Sequence, residues 1–455
     1  MKMNRRTALN GSALALAGAG AGMGTILVSG CGGGSEAAAS PAAPAATPPL
    51  AQAPANKYSQ ANLVANKASY NAQFLEPNFI DAWGIATRPA GAGGHFWVGG
   101  GGTSWQYVGD VKRSATPSLR NFFQDGLKEV TVPGADSLIT AASVGKITGV
   151  VYNGAGITDN KFKITTQTAT EPGTGRVVAF DGSARFVFVT DSGIVSGWTD
   201  RASDGSTVRV DGTAAQVYDG TADGSAFFGV AIKPATWDAM WLADFGTAPQ
   251  IVTLNATWGK VATIGFANPF GSGAGGAVQP GDPVPFNIQV VNDGTKDRVF
   301  VAYALSQEDP NTPGDFYAAE EDALDAAAEL ASGNKPNKGK LVEFDTAGNQ
   351  VRIYADAMRL NAPWGIAIAP ADFGLLSGKL LVGNFGGAGR ICAFDLATGA
   401  YLDDLKDANG QIVKIPGLWA LQFGNGVSLG DSNALYFAAG PDDEKDGLFG
   451  SLRVV

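Results

Sequence analysis

One phrase recurs along this chain. "IDAWGIATRP" at 80–89 returns as "NAPWGIAIAP" at 361–370, and weaker relatives stand at 148–153 (TGVVYN), 228–234 (FGVAIKP), 286–291 (FNIQVV) and 419–424 (WALQFG). Each copy begins with an aromatic residue or Thr, continues with a small residue or Asn, and then alternates β-branched with small residues. Alternation at period two, bounded by Gly and Pro, is the pattern of a β-strand. The small second residue in most copies implies that these strands crowd one another at that point. A chain that writes one strand six times assembles six copies of one supersecondary unit.

A second unit follows the first. LADFGTAPQIVTLN (242–255) aligns with LVGNFGGAGRICAFD (381–395) apart from the last residue, and FVTDSGIVSGWTD (188–200) is a shorter version. These read as strand, Asp or Asn, turn, strand, with Asp191, Asp244 and Asn384 in equivalent places. GKLVEFDTAGNQVRIY (339–354) supplies another strand–turn–strand. The repeating module therefore holds about four strands, and six such modules without intervening helices predict an all-β, six-bladed β-propeller. The spacing between copies requires insertions, visible at 109–140, 264–284 and 305–338. The third carries DFYAAEEDALDAAAELASG, an Ala/Glu/Leu-rich run expected to form a short surface helix. A sandwich with a second β-domain is the competing architecture, but sandwiches do not repeat one strand six times.

The propeller is expected over 57–455. Residues 1–31 combine the Arg5–Arg6 pair with a weakly apolar Ala/Gly/Leu run ending in LVSGC. That pattern predicts a twin-arginine signal with a lipidated Cys31, and so an exported, membrane-anchored chain of the cell envelope, periplasmic or on the surface. LVSGC resembles a bacterial lipobox, and that resemblance implies, from Gly32 after the cysteine, sorting to the outer membrane if the cell is Gram-negative. Residues 32–56 are rich in Pro, Ala and Gly and read as a flexible linker. The chain has two cysteines, so lipidation of Cys31 leaves Cys392 without a disulfide partner. A net charge of −10 argues against nucleic acid as a partner.

In a propeller the turn after strand two opens on the same face as the start of strand one. That mouth is expected to gather Asn78 and Asp81 from blade one, Asp191 from blade two, Asp244 from blade three, Asp309 from blade four, and Asn361 and Asn384 from blade five. Blade six adds the acidic turn PDDEKDG, with Asp442, Asp443, Glu444 and Asp446. Oxygen ligands of this kind suit Ca²⁺. The competing reading is that each Asp or Asn caps its own turn, and that PDDEKDG, which lacks the spacing of an EF-hand, is a solvated hairpin. Trp83, Phe228, Phe286, Trp364 and Trp419 recur at one blade position and read as a packed layer rather than a ligand cage. The single histidine, His95, stands near a strand edge, and excludes any mechanism that needs two. GVSLG at 426–430 matches a nucleophile-elbow spacing but lies between two predicted strands in a Gly-rich stretch, which excludes a serine hydrolase.

NLVAN…LEPNFIDAWGIA, ARFVFVTDSGIVSGW, VAYALSQED…GKLVEFDTAGN, LNAPWGIAIAP and LYFAAGPDDEKDGLFGSL occur in this order. That series resembles a family of secreted bacterial propeller proteins with NHL-like repeats. The resemblance covers essentially all of 60–455 and implies a propeller and export, with no established chemistry. VGGGGTSWQYV stands where the family pattern has a more polar turn. The mouth is also similar to that of six-bladed lactonases of the gluconolactonase type, which implies a Ca²⁺-dependent hydrolase as the alternative to a binding or scaffold propeller holding a glycan, peptide or protein.

Overall fold

The computed structural model describes residues 55–89, 93–135, 145–165, 167–171, 173–308, 316–318 and 336–455. The signal segment with Cys31, nearly all of the linker, Asp309 and the helix expected within 305–338 lie outside the described residues.

Six sheets, antiparallel in their main strands, form the blades along the chain. Two further two-stranded ladders, Thr168–Thr170 with Val177–Ala179 and Lys163–Ile164 with Gly182–Ser183, lie in the segment between the first two strands of blade two. Blade one runs outward through Ala82–Ala86, Phe96–Gly100, Thr103–Tyr107 and Glu129–Thr131, with Gly212–Thr213 added in parallel at its edge. Blade two is Ile147–Tyr152, Phe186–Thr190, Ile194–Trp198 and Ala215–Asp219. Blade three is Phe227–Ile232, Ala239–Asp244, Gln250–Asn255 and Lys260–Val261. Blade four is Pro283–Asn292, Asp297–Glu308, Gly339–Phe344 and Gln350–Ile353, and blade five is Pro363–Ile368, Leu380–Asn384, Ile391–Phe394 and Tyr401–Asp404. Blade six takes Leu418–Phe423, Leu435–Ala439 and Leu448–Val454 from the C-terminal end and Tyr58–Ala65 from the N-terminal part. The last pair runs antiparallel from Tyr58 opposite Val454 to Ala65 opposite Leu448, and this closes the ring. The protein is a six-bladed β-propeller. Each copy of the repeated phrase is an innermost strand, and each innermost strand packs on that of the next blade around the ring.

The small residue at the second position of the phrase is explained by that packing. A Cβ at Gly84 would stand 2.7 Å from the backbone nitrogen of Val150 in blade two. One at Gly149 would meet Val230 in blade three, and one at Gly229 would lie 2.8 Å from Asn287 Cα in blade four. At Gly365 it would run into the Trp419 carbonyl oxygen of blade six. Asn287 occupies the same position in blade four and sends its Nδ2 across to the Trp364 carbonyl at 2.7 Å. Because backbone blocks the added methyl, Gly84→Ala is expected to lower stability by about 1–3 kcal/mol. Chemical denaturation of the variant checks this, and an unchanged midpoint would show that the blades part easily.

The aromatic position has its own device. In all six blades the register between strands one and two slips at the first residue of the phrase: beside Trp83, Thr148, Phe228, Phe286, Trp364 and Trp419. A β-bulge redirects the side chain it carries, and here it goes with five aromatic rings that meet at the centre. Trp419 stacks on Trp83 with ring centres 3.5 Å apart and on Phe385 at 3.8 Å, while Phe228 stacks on Phe286 at 5.3 Å. Trp83 and Trp364 close the group at 6.4 Å. Thr148 completes the ring differently, donating its hydroxyl to the Phe227 carbonyl at 2.6 Å. All six are buried. The expected packed layer is present, and at its level it fills the channel that the innermost strands enclose.

Candidate functional site at the channel mouth

Above this layer, at the entry to the innermost strands, the structure places a buried group of charges. Asp81 and Lys146 stand just before the first strands of blades one and two, and Glu444 lies in the turn before the closing strand of blade six. Lys146 Nζ is 2.9 Å from Asp81 Oδ2 and 2.5 Å from Glu444 Oε2. The other Asp81 oxygen accepts the Trp83 indole N–H at 2.7 Å, so the charge group rests directly on the aromatic layer. Asp81 is fully buried, and the Lys146 side chain is 17% exposed, the part through which solvent reaches the group.

Burial, and after it the Glu444 charge, pushes Asp81 up to about 7, while Lys146 and the Trp83 N–H act the other way. Burial works against the Lys146 charge, but Asp81 and Glu444 outweigh it and hold its pKa above the ordinary lysine range. Two carboxylates around one ammonium leave a net negative charge in a desolvated place, so one carboxyl gives way and takes a proton more readily.

The remaining predicted residues do a common job. Asp191 Oδ1 accepts the Lys146 backbone N–H at 2.6 Å, Asp244 Oδ1 accepts that of Ala226 at 2.8 Å, and Asn384 Oδ1 accepts that of Asn361 at 3.0 Å. In blades two, three and five the residue at or just past the end of strand two thus ties down the segment entering strand one. Asp244 also caps its own turn through the Gly246 N–H at 2.9 Å. Desolvation raises the pKa of Asp191 and of Asp244, and these hydrogen bonds offset it in part. Asn384 Nδ2 donates to the Arg359 carbonyl at 3.1 Å, and Asn361 is buried beside it. Asn78 is exposed, with its backbone N–H held by Glu76. Among the described residues, no three His, Cys, Asp or Glu side chains converge so as to hold a metal ion.

The acidic turn corrects one expectation. It is not simply a solvated hairpin. Asp442, Asp443 and Glu444 take left-handed backbone angles in succession (φ 55°, 55° and 63°), which is costly for residues with a Cβ. The first two are exposed, while Glu444 turns inward to Lys146. Asp446 is buried and accepts from Asn66 at 3.0 Å, from the Tyr70 hydroxyl at 2.6 Å and from Lys67, which binds the N-terminal strand's exit to the C-terminal turn. His95, also buried, pairs through Nε2 with Asp125 at 2.8 Å, and burial lowers its pKa against the pull of Asp125. Cys392 is buried and free.

Lys146 is the residue that sequence reasoning missed. Nothing in VGKITGVVYN distinguishes it, and the one available signal was a lysine two places before a copy of the phrase, where blade one has Asp81.

No family model matches the chain. Among curated proteins it is similar to uncharacterized protein R648 of Acanthamoeba polyphaga mimivirus, 31% identical over 218 residues, which are 47% of this chain and 46% of that protein. It is also similar to uncharacterized protein L690 of the same virus, 33% identical over 174 residues, 38% and 40% of the two chains. The chain thus spans less than half the length of these relatives, and they are viral, where the resemblance had implied bacterial proteins. Among solved structures, an alpha-L-arabinofuranosidase of Fusarium graminearum aligns over 88% of this chain and 98% of its own at 12% identity, with a TM-score of 0.42. The WD40 propeller domain of Doa1 aligns over 81% and 78% at 9% identity, with a TM-score of 0.37. Those scores are low, and the fold assignment rests on the six sheets themselves.

Proposed function

We propose that this protein is an exported, lipid-anchored propeller that binds a glycan, peptide or protein partner across its mouth and carries out no reaction on it. The observation behind this reading is that the buried charged groups at the mouth are committed to one another and to backbone. Lys146 is held between Asp81 and Glu444, and Asp191, Asp244 and Asn384 each hold a backbone N–H. Such groups stiffen the rim on which surface loops meet a partner. General acid–base or metal-assisted chemistry asks instead for a group poised toward a substrate.

The test is a paired screen of the intact chain. Glycan and peptide arrays are read for saturable binding, and a panel of lactones and esters is read for turnover with Ca²⁺ and with chelator. Binding of one ligand class without turnover is the expected result. Ca²⁺-dependent hydrolysis that is lost in Asp244→Ala would overturn the proposal in favour of a gluconolactonase-type enzyme.

A further inference from the structure

A lateral cleft of about 660 Å³ opens at the seam where the ring closes. It lies between the N-terminal strand Tyr58–Ala65, the short turn Ala68–Tyr70 with the residues that follow it, and the loop through Val111–Arg113. It shares no residue with the charge group at the mouth. Buried Val111 and half-buried Ala61 and Tyr70 supply its apolar surface. The Tyr70 ring is fixed in place, because its hydroxyl is held by Asp446 at 2.6 Å.

The charge of this cleft opposes that of the molecule. The chain carries a net −10, yet Lys112 and Arg113 stand side by side on the cleft and are exposed. Arg113 donates to the Ser59 carbonyl at 3.4 Å, and the Asp110 carboxylate that bears on it is already paired with Arg453. Desolvation, followed by the Arg453 charge, lowers the Arg113 pKa. An anion in the cleft would relieve that. A guanidinium beside an ammonium suits a carboxylate, which it grips in a two-point hydrogen bond.

The other lining groups are of one kind. Gln60, Asn62, Asn71 and Gln73 all carry side-chain amides. Gln60 Nε2 donates to Asn62 Oδ1 at 2.8 Å and Asn62 Nδ2 to the Tyr70 carbonyl at 2.7 Å, so this pair stiffens the wall and Asn71 and Gln73 are the amides presented to the cleft. An amide offers a donor and an acceptor in one plane, the complement of the neighbouring hydroxyls of a sugar ring. A peptide would more naturally add to the strand edge. That edge is covered at both ends, where Tyr58 N–H donates to the Lys406 carbonyl at 2.8 Å and Gln73 N–H donates to the Asn62 carbonyl at 3.2 Å. The interval between them is too short for a peptide strand to pair.

We propose that this cleft binds an acidic oligosaccharide, with a uronate carboxylate on Lys112 and Arg113 and ring hydroxyls on the Asn71 and Gln73 amides. Calorimetry on the intact chain tests it with three probes: trigalacturonate, neutral galactotriose and a triglutamate peptide. Saturable binding of trigalacturonate is expected, about tenfold or more tighter than the other two. It should weaken about tenfold in Lys112→Ala/Arg113→Ala, and measurably in Gln73→Ala, which leaves the charge unchanged. These side chains are exposed, and an unchanged thermal melt confirms that the variants fold. Absence of binding at millimolar trigalacturonate, or binding that the substitutions leave intact, would overturn the proposal. Equal affinity for triglutamate would also overturn it, as would full affinity in Gln73→Ala, since either would reduce the cleft to a charge patch.

Discussion

Replacing Trp419 by Ala is expected to lower the free energy of unfolding by about 3–5 kcal/mol, the cost of deleting a large buried aromatic that its surroundings cannot refill. Trp419 is fully buried and is the hub of the central layer. It stacks on Trp83 and Phe385 and meets Trp364 edge-on at 6.1 Å and Phe286 at 5.8 Å. These partners come from blades one, four and five, so they cannot collapse into the cavity without the blades shifting as bodies. Trp83, Trp364 and Phe286 are also carried on bulged strands whose next residue, Gly84, Gly365 or Asn287, already reaches the neighbouring blade. Trp419→Phe keeps part of the volume and should cost less. Urea denaturation of both variants measures the effect. A loss below about 1 kcal/mol in Trp419→Ala would mean that the hub repacks freely, contrary to the rigid contacts described above.

Lys146→Met is the second large effect. It removes the cation between two buried carboxylates and nearly preserves the side-chain volume. Breaking a buried ion pair on one side costs about 3–5 kcal/mol, because the charge left behind loses its counter-ion where little solvent can replace it. The loss should depend on pH. Asp81 has a folded-state pKa pushed up to about 7, above the ordinary carboxylate value of 3.8. A carboxyl raised in this way stabilises the fold fully while it is protonated in both states, and that contribution is lost as pH climbs through the folded value. Without Lys146 to favour its charged form, Asp81 is raised further. The variant is therefore expected to suffer most at pH 8 and to recover part of its deficit at pH 5, where Asp81 is neutral. His95, whose pKa is lowered, drives the pH dependence the opposite way in both proteins and cancels in their difference. A second change, Glu444→Gln on the Lys146→Met background, should restore part of the loss at pH 8 by removing one of the two carboxylate charges that Lys146 balances. An equal deficit at both pH values, with no rescue, would show that the lysine contributes packing and not charge.

Much of the fold was legible because its signals are local. The six phrases mark the six innermost strands, since alternation and a small second residue are imposed by a strand that touches its neighbour's backbone. The aromatic first residue was legible as packing because five of the six positions share it. Asp191, Asp244 and Asn384 were recognisable as equivalent through the turns that follow them, but only Asp244 caps its own turn, while the oxygens of Asp191 and Asn384 go to N–H groups that lead into strand one. The bulges were not legible, because a bulge is a property of pairing between two strands. Nor was the inward turn of Glu444, which sits in an acidic run between two exposed aspartates.

The sequence by itself determined how many blades there are, which strand of each is innermost and which residues pack at the centre. These follow from periodicity and from side-chain volume, which every residue carries wherever it is placed. Only the tertiary structure decided what the charged residues at the mouth do. Asp81, Lys146 and Glu444 come from opposite ends of the chain and meet because the N-terminal strand completes the last blade. Charge has no periodicity that foretells its partner. Whether a carboxylate faces water, a backbone N–H or a buried ammonium depends on which blades the closing of the ring makes neighbours.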